Sequence, residues 1–114
     1  MTEERRQFPR VRSYLPVKIF HKNSGKIIET LTKDLSLGGL CCLSPVESPT
    51  KDSVTLEMTL DLPGRQLITI EGKQVWSERL KNCEQFHVGI SFLQCSLNIT
   101  KILSSYIDGK VQLI

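Results

Sequence analysis

The segment "SVTLEMTLDLP" alternates Val54, Leu56, Met58 and Leu60 with Thr55, Glu57, Thr59 and Asp61. A period of two puts all four apolar side chains on one face of an extended strand, so the segment reads as a strand half-buried against a core. The same signature recurs along the chain. Between Tyr14 and Thr32, Val17, Ile19 and His21 share one face and Lys18, Phe20 and Lys22 the other, and a turn at Asn23, Ser24 and Gly25 joins two such runs into a hairpin. Leu40 to Leu43 is a further apolar run, and "SPVESPTKD" after it reads as loop. A turn at Pro63 and Gly64 leads into "QLITIEGKQVWSERL". In "EQFHVGISFL", Phe86, Val88, Ile90 and Phe92 oppose His87, Gly89 and Ser91. The period changes at the end, where Ile99, Ile102, Leu103 and Tyr106 take helical spacing, with Ser96 or Asn98 as N-cap and Gly109 as the residue just past the C-terminus.

These elements predict a mainly β fold: a small six-stranded antiparallel β-barrel with a flexible N-terminal arm and a C-terminal α-helix. Closure into a barrel removes exposed strand edges. At 114 residues the chain is expected to be a single standalone domain, with an arm over 1–13, the barrel over 14–95 and the helix over 96–110. No long apolar run or leader-like pattern is present, which predicts a soluble, cytoplasmic protein without membrane insertion. The net charge of +3 is too small to argue for nucleic-acid binding by charge alone. The aromatics alternate as core residues do, not as stacking platforms, so no nucleic-acid partner is expected.

The four cysteines, Cys41, Cys42, Cys83 and Cys95, form no Cys-x-x-Cys pair and read as reduced thiols. Cys41 and Cys42 point to opposite faces of one strand. Their spacing, even with His87, does not suit a metal site, and neither a metal nor a cofactor is expected. His21 and His87 stand in strand-like runs without a nucleophile motif, and no pair of carboxylates is set up for acid–base work. The chain reads as a binding module, not an enzyme.

Two stretches fall outside this pattern of packing. The arm carries Arg5, Arg6, Arg10 and Arg12 before any predicted strand. Arginine's planar fork makes paired hydrogen bonds to phosphate and to the guanine edge, which lysine cannot do. "KDLSLGGLCC" then places Asp34, Ser36, Gly38 and Gly39 within six residues. A carboxylate at Asp34 offers paired acceptors to the N1 and N2 donors of guanine, and Gly39 lets the backbone turn tightly or approach a flat base, with Gly38 adding tolerance. The structural alternative is a turn in which Asp34 bonds its own backbone.

Arg-x-x-x-Arg at Arg6 and Arg10, followed by Asp-x-Ser-x-x-Gly at Asp34, Ser36 and Gly39, resembles the two signature elements of the PilZ domain family. The strand with "GKQVW", the strand with "VGISF" and the trailing helix extend the resemblance over nearly all of the chain. It implies a receptor for the bacterial second messenger cyclic di-GMP. By the same resemblance, Arg6 and Arg10 hold phosphate and the guanine edge, Asp34 and Ser36 accept hydrogen bonds from guanine, and Gly39 shapes the turn. Arg5 matches the position at which family members with a second arginine bind a stacked pair of messenger molecules. Trp76 resembles an aromatic that lies near the base in some members, and its strand position leaves core packing equally open. The expected output is ordering of the arm, which would alter a surface met by a protein effector. The alternative is a PilZ-fold interaction module without useful nucleotide affinity.

Overall fold

The computed structural model describes residues 10–45, 52–62, 64–93 and 95–112. Seven strands and one helix follow in order: β1 (Val11–Arg12), β2 (Pro16–His21), β3 (Ile27–Leu35), β4 (Gly39–Ser44), β5 (Ser53–Leu60), β6 (Gln66–Arg79), β7 (Phe86–Phe92) and α1 (Leu97–Gln112). Every pairing is antiparallel, in the order β3-β2-β5-β6-β7-β4, and β4 pairs back onto β3. The predicted six-stranded barrel is therefore closed, and β1 is an additional strand lying along β3.

The alternation read in the sequence is the alternation that is buried. Val54, Leu56, Met58 and Leu60 are inaccessible, and they meet Val17, Ile19, Leu35, Leu40, Cys42, Ile68, Ile70, Val88 and Ile90 inside the barrel. Phe86 and Phe92 lie half-buried at the margin of this core. The β2–β3 hairpin closes through His21 N to Lys26 O (2.8 Å) and Gly25 N to His21 O (2.8 Å), with Gly25 at φ +74°, where a side chain would be strained. His21 faces inward as expected. It is held by Asp52 at 2.8 Å from Nδ1, and Asn23 donates to the other oxygen of that carboxylate at 2.8 Å.

Two expectations are corrected. Arg12 does not precede the strands: Val11 and Arg12 form β1 opposite Leu35 and Asp34, and Val11 is buried in the core. Ser13 N donates to Lys33 O, and the Ser13 hydroxyl lies 2.8 Å from that of Tyr106 on α1 in a buried contact. The end of the arm is thus fastened to both sheet and helix, because Val11, Ser13, Leu15 and Val17 continue the inward alternation of β2 backwards. Arg5 and Arg6, and with them most of the expected arm, lie outside the described residues.

The second correction concerns α1. Ser96 caps it, accepting from Ile99 N at 3.2 Å, so Asn98 is not the cap. Gly109 does not end it, since the helix runs on to Gln112 and Gly109 keeps a helical φ. Leu103, Tyr106 and Ile107 seat the helix on the barrel, and packing outweighs the weak helix propensity of one glycine. A methyl group added at Gly109 meets nothing within 4 Å. Gly109→Ala is expected to stabilise the protein by about 0.5–1 kcal/mol in chemical denaturation; no gain would mean that the last turn is frayed in solution.

No described helix is long and apolar enough to cross a membrane.

Candidate functional site

Strand register assembles the candidate residues. Val11, Leu35, Leu40, Ile90 and Gln74 are successive partners across β1, β3, β4, β7 and β6, and all five are buried. The adjacent row is Arg12, Asp34, Cys41, Gly89 and Trp76, which faces outward because neighbouring positions on a strand alternate. Residues from four widely separated parts of the sequence therefore share one line on the outer surface.

Trp76 owes its place in that row to a β-bulge. The β6–β7 register slips between Gln74 and Trp76, leaving Val75 as the extra residue. Strict alternation would turn Trp76 inward with Ile68, Ile70 and Gln74. The bulge turns it out instead, to 40% exposure, so it is not part of the core. The indole lies across Gly89, where a Cβ would sit 2.1 Å from Nε1. An aromatic covering a cross-strand glycine in this way shields the backbone that the glycine leaves bare.

At the other end of the row, Arg10 Nη1 donates to Asp34 Oδ1 at 2.7 Å. Asp34 therefore does not bond its own backbone. Ser36 makes the turn: its hydroxyl accepts from Gly38 N at 3.1 Å and donates to Gly39 O at 3.3 Å, and its own N–H donates to Gly39 O at 2.9 Å. Ser36 is buried, and its hydroxyl faces the turn. Gly38 O accepts from Phe92 N at 2.9 Å, which ties the turn to β7.

Gly39 has a different reason for being glycine from the one the sequence suggested. Its φ is not positive, and a Cβ there would lie 2.2 Å from the Ile90 carbonyl oxygen. The close approach it permits is to the β7 backbone, at the point where the barrel closes.

Cys41 is the β4 member of this row and is nonetheless buried, whereas Cys42 faces the core. Burial pushes the Cys41 thiol up, Asp34 adds to that, and Lys33 and Arg10 oppose it. Cys42 is pushed up to about 12, chiefly by burial. Neither is an available thiolate at neutral pH. Among the described residues no group of three or more His, Cys, Asp or Glu side chains is placed to hold a metal ion. The buried His21–Asp52 pair was missed by sequence reasoning. An inward-facing histidine on β2 was its visible half, and Asp52 comes from 31 residues away.

A family model for the PilZ domain matches residues 4–109. The chain belongs to the PilZ domain family. Solved PilZ-containing structures share its fold. The inhibitor of motility MotI/DgrA of Bacillus subtilis superposes with a TM-score of 0.79 at 18% identity, over 94% of this chain and 52% of that one. The PilZ domain of Escherichia coli YcgR, solved with c-di-GMP, gives 0.71 at 15% identity, over 95% and 92%. YcgR of Escherichia coli in complex with c-di-GMP gives 0.77 at 16% identity, over 92% and 45%. This PilZ domain thus spans about half of the MotI/DgrA and YcgR chains. No curated protein matches it by sequence.

Proposed function

We propose that this PilZ domain is a receptor for cyclic di-GMP, bound against the outward row from Arg10 and Asp34 to Trp76. The observation that carries the reading is the Arg10–Asp34 pair at the mouth of the Ser36–Gly39 turn, where a cation for phosphate and an acceptor for a guanine edge sit side by side. YcgR, a structural neighbour, is solved with this messenger, which supports the reading.

In the proposed complex the ligand must draw Asp34 away from Arg10 or share it. The two side chains are 25% and 29% exposed, and an ion pair so open to solvent contributes about 0–1 kcal/mol. Charge-assisted bonds to phosphate and guanine contribute about 1.5–3 kcal/mol each, so the exchange favours ligand. Arg6 joins Arg10 on phosphate and on the guanine edge. Ser36 acts mainly by holding the turn, Gly38 and Gly39 form its backbone, and Trp76 offers an aromatic face beside the base.

Calorimetric titration with cyclic di-GMP, cyclic di-AMP and GTP tests this. The expected result is about micromolar or tighter affinity for the first and much weaker binding of the others. Equal or absent heats for all three would leave the second reading, a PilZ-fold interaction module. That reading draws its support from Asp34 and Ser36 already having partners within the protein.

The doubled arginine at Arg5 and Arg6 leads to a prediction of stoichiometry. The parent should bind two messenger molecules per chain and Arg5→Leu one, more weakly; one per chain in the parent overturns this point alone.

The proposed signal is a change in the arm's contacts when the ligand bridges Arg5, Arg6 and Arg10 to the Asp34 turn, creating a surface for a protein effector. Since β1 is already fastened, the change is confined to the chain before Arg10. Tryptic cleavage after Arg5 and Arg6 should slow many-fold with saturating cyclic di-GMP and not with GTP. Equal rates at a filled site would place the output elsewhere.

A further inference from the structure

The outer surface on the opposite side of the barrel carries a second row, and it is apolar where a solvent-facing row is ordinarily polar. Leu31 pairs with Pro16 across β3 and β2, and Thr59 with Leu67 across β5 and β6; the Val17–Met58 pair next to them sets β2 against β5, and all four line one groove. Leu31 and Leu67 are 48% and 61% exposed, and Tyr14, two residues before Pro16, is 63% exposed. Proline and threonine have short side chains, so Pro16 and Thr59 form a floor between two leucine rims. The resulting groove has a volume of about 460 Å3. A second depression, bounded by Tyr14 and Asp61, shares Pro16 and Thr59 with it and prolongs it at the Tyr14 end.

The next outward row is Glu29, Lys18 and Glu57, in direct cross-strand register. Lys18 stands between two carboxylates and can neutralise only one. Neither Glu29 nor Glu57 lies within ion-pair distance of a described cation. The groove therefore ends in one uncompensated negative charge, on a chain whose net charge is +3.

From this arrangement we infer that the outer face of β2, β3, β5 and β6 docks an amphipathic helix of a partner protein, with its apolar stripe between Leu31 and Leu67 and a lysine or arginine one turn along, at Glu29 and Glu57. The dimensions fit. The rims are three strand spacings apart, roughly 14 Å, and a helix with its side chains is about 10–12 Å across. The charged row lies two residues farther along the strands, roughly 7 Å, close to the helical pitch of about 5.4 Å. Burial of the leucine rims supplies the affinity, and the carboxylates fix direction and register.

Other occupants fit less well. A second copy placed face to face would set this acid-rich row against itself. β1 begins at Val11 opposite Leu35, so Arg10 stands at the Ser36 end of β3, four strand positions beyond Leu31. The inference does not depend on which ligand the opposite face binds.

Site-specific incorporation of p-benzoylphenylalanine at Leu67, in the full chain and in the cells that make it, tests the docking directly. The expected product after irradiation is a crosslink to a partner segment whose sequence carries an apolar helical stripe with a lysine or arginine three to four residues along. A probe at Lys101 on α1 should not give it. The double variants Glu29→Gln/Glu57→Gln and Glu29→Lys/Glu57→Lys, both solvent-facing changes, should reduce the yield about threefold and about tenfold or more. A crosslink to a second copy, to the chain's own arm or to an acidic segment overturns the inference. So does an unchanged yield in the charge variants, or no crosslink at all.

Discussion

Gly39→Ala is expected to destabilise the domain by about 3 kcal/mol or more, enough to lower its melting temperature by roughly 10–20 °C. The added Cβ would lie 2.2 Å from the Ile90 carbonyl oxygen and 3.2 Å from the carbon that bears it. A flexible side chain could rotate away, but a strand backbone cannot. To admit the methyl group, β4 and β7 must separate where Gly39 pairs with Ser91, next to the contact between Gly38 O and Phe92 N that holds the turn. The strands concerned close the barrel, so the damage extends to Leu40 and Ile90 in the core. Thermal unfolding followed by circular dichroism measures the effect. A melting temperature within 3 °C of the parent would show that the strands part easily and that Gly39 is glycine for another reason. Loss of ligand binding in this variant would accordingly report on the turn, not on a contact with ligand.

The other large effect is on affinity. Arg10→Ala should weaken cyclic di-GMP binding at least tenfold, and Arg6→Ala/Arg10→Ala about a hundredfold, since each arginine contributes charge-assisted bonds of about 1.5–3 kcal/mol. The first change also frees the Asp34 carboxylate. That gain is small against the loss of a phosphate partner, and the unpaired negative charge now faces an anionic ligand. Asp34→Ala works differently: Arg10 keeps its hold on phosphate, while the acceptor for the guanine N1 and N2 donors is lost. Affinity should fall modestly, and the preference for cyclic di-GMP over cyclic di-AMP should shrink. Calorimetry on the three variants separates the roles. Parent-like binding in both arginine variants would end the nucleotide reading, and an unchanged base preference in Asp34→Ala would take that residue out of the site.

The sequence by itself determined the class of fold, because a period of two is a local property. Val54, Leu56, Met58 and Leu60 declare a strand and its buried face without reference to any other part of the chain, and the turn at Gly25 and the capped helix after Ser96 are equally local. The same alternation runs through Val11, Ser13 and Leu15, but a serine in the middle weakens the signal, and β1 is legible only once it pairs with β3. Family membership was also legible, from the spacing of Arg6, Arg10, Asp34, Ser36 and Gly39. What each of those residues touches depends on strands that meet only in the folded barrel. Ile90 lies 51 residues beyond Gly39 and yet explains it. Ser36, not Asp34, holds its turn, because Arg10 arrives along β3 to occupy the carboxylate. Trp76 points outward because the β6–β7 register slips by one residue, and a one-residue slip reverses the face of every side chain beyond it. Register is a property of paired strands. No single strand encodes it, so the tertiary structure alone decided which residues form the outward row.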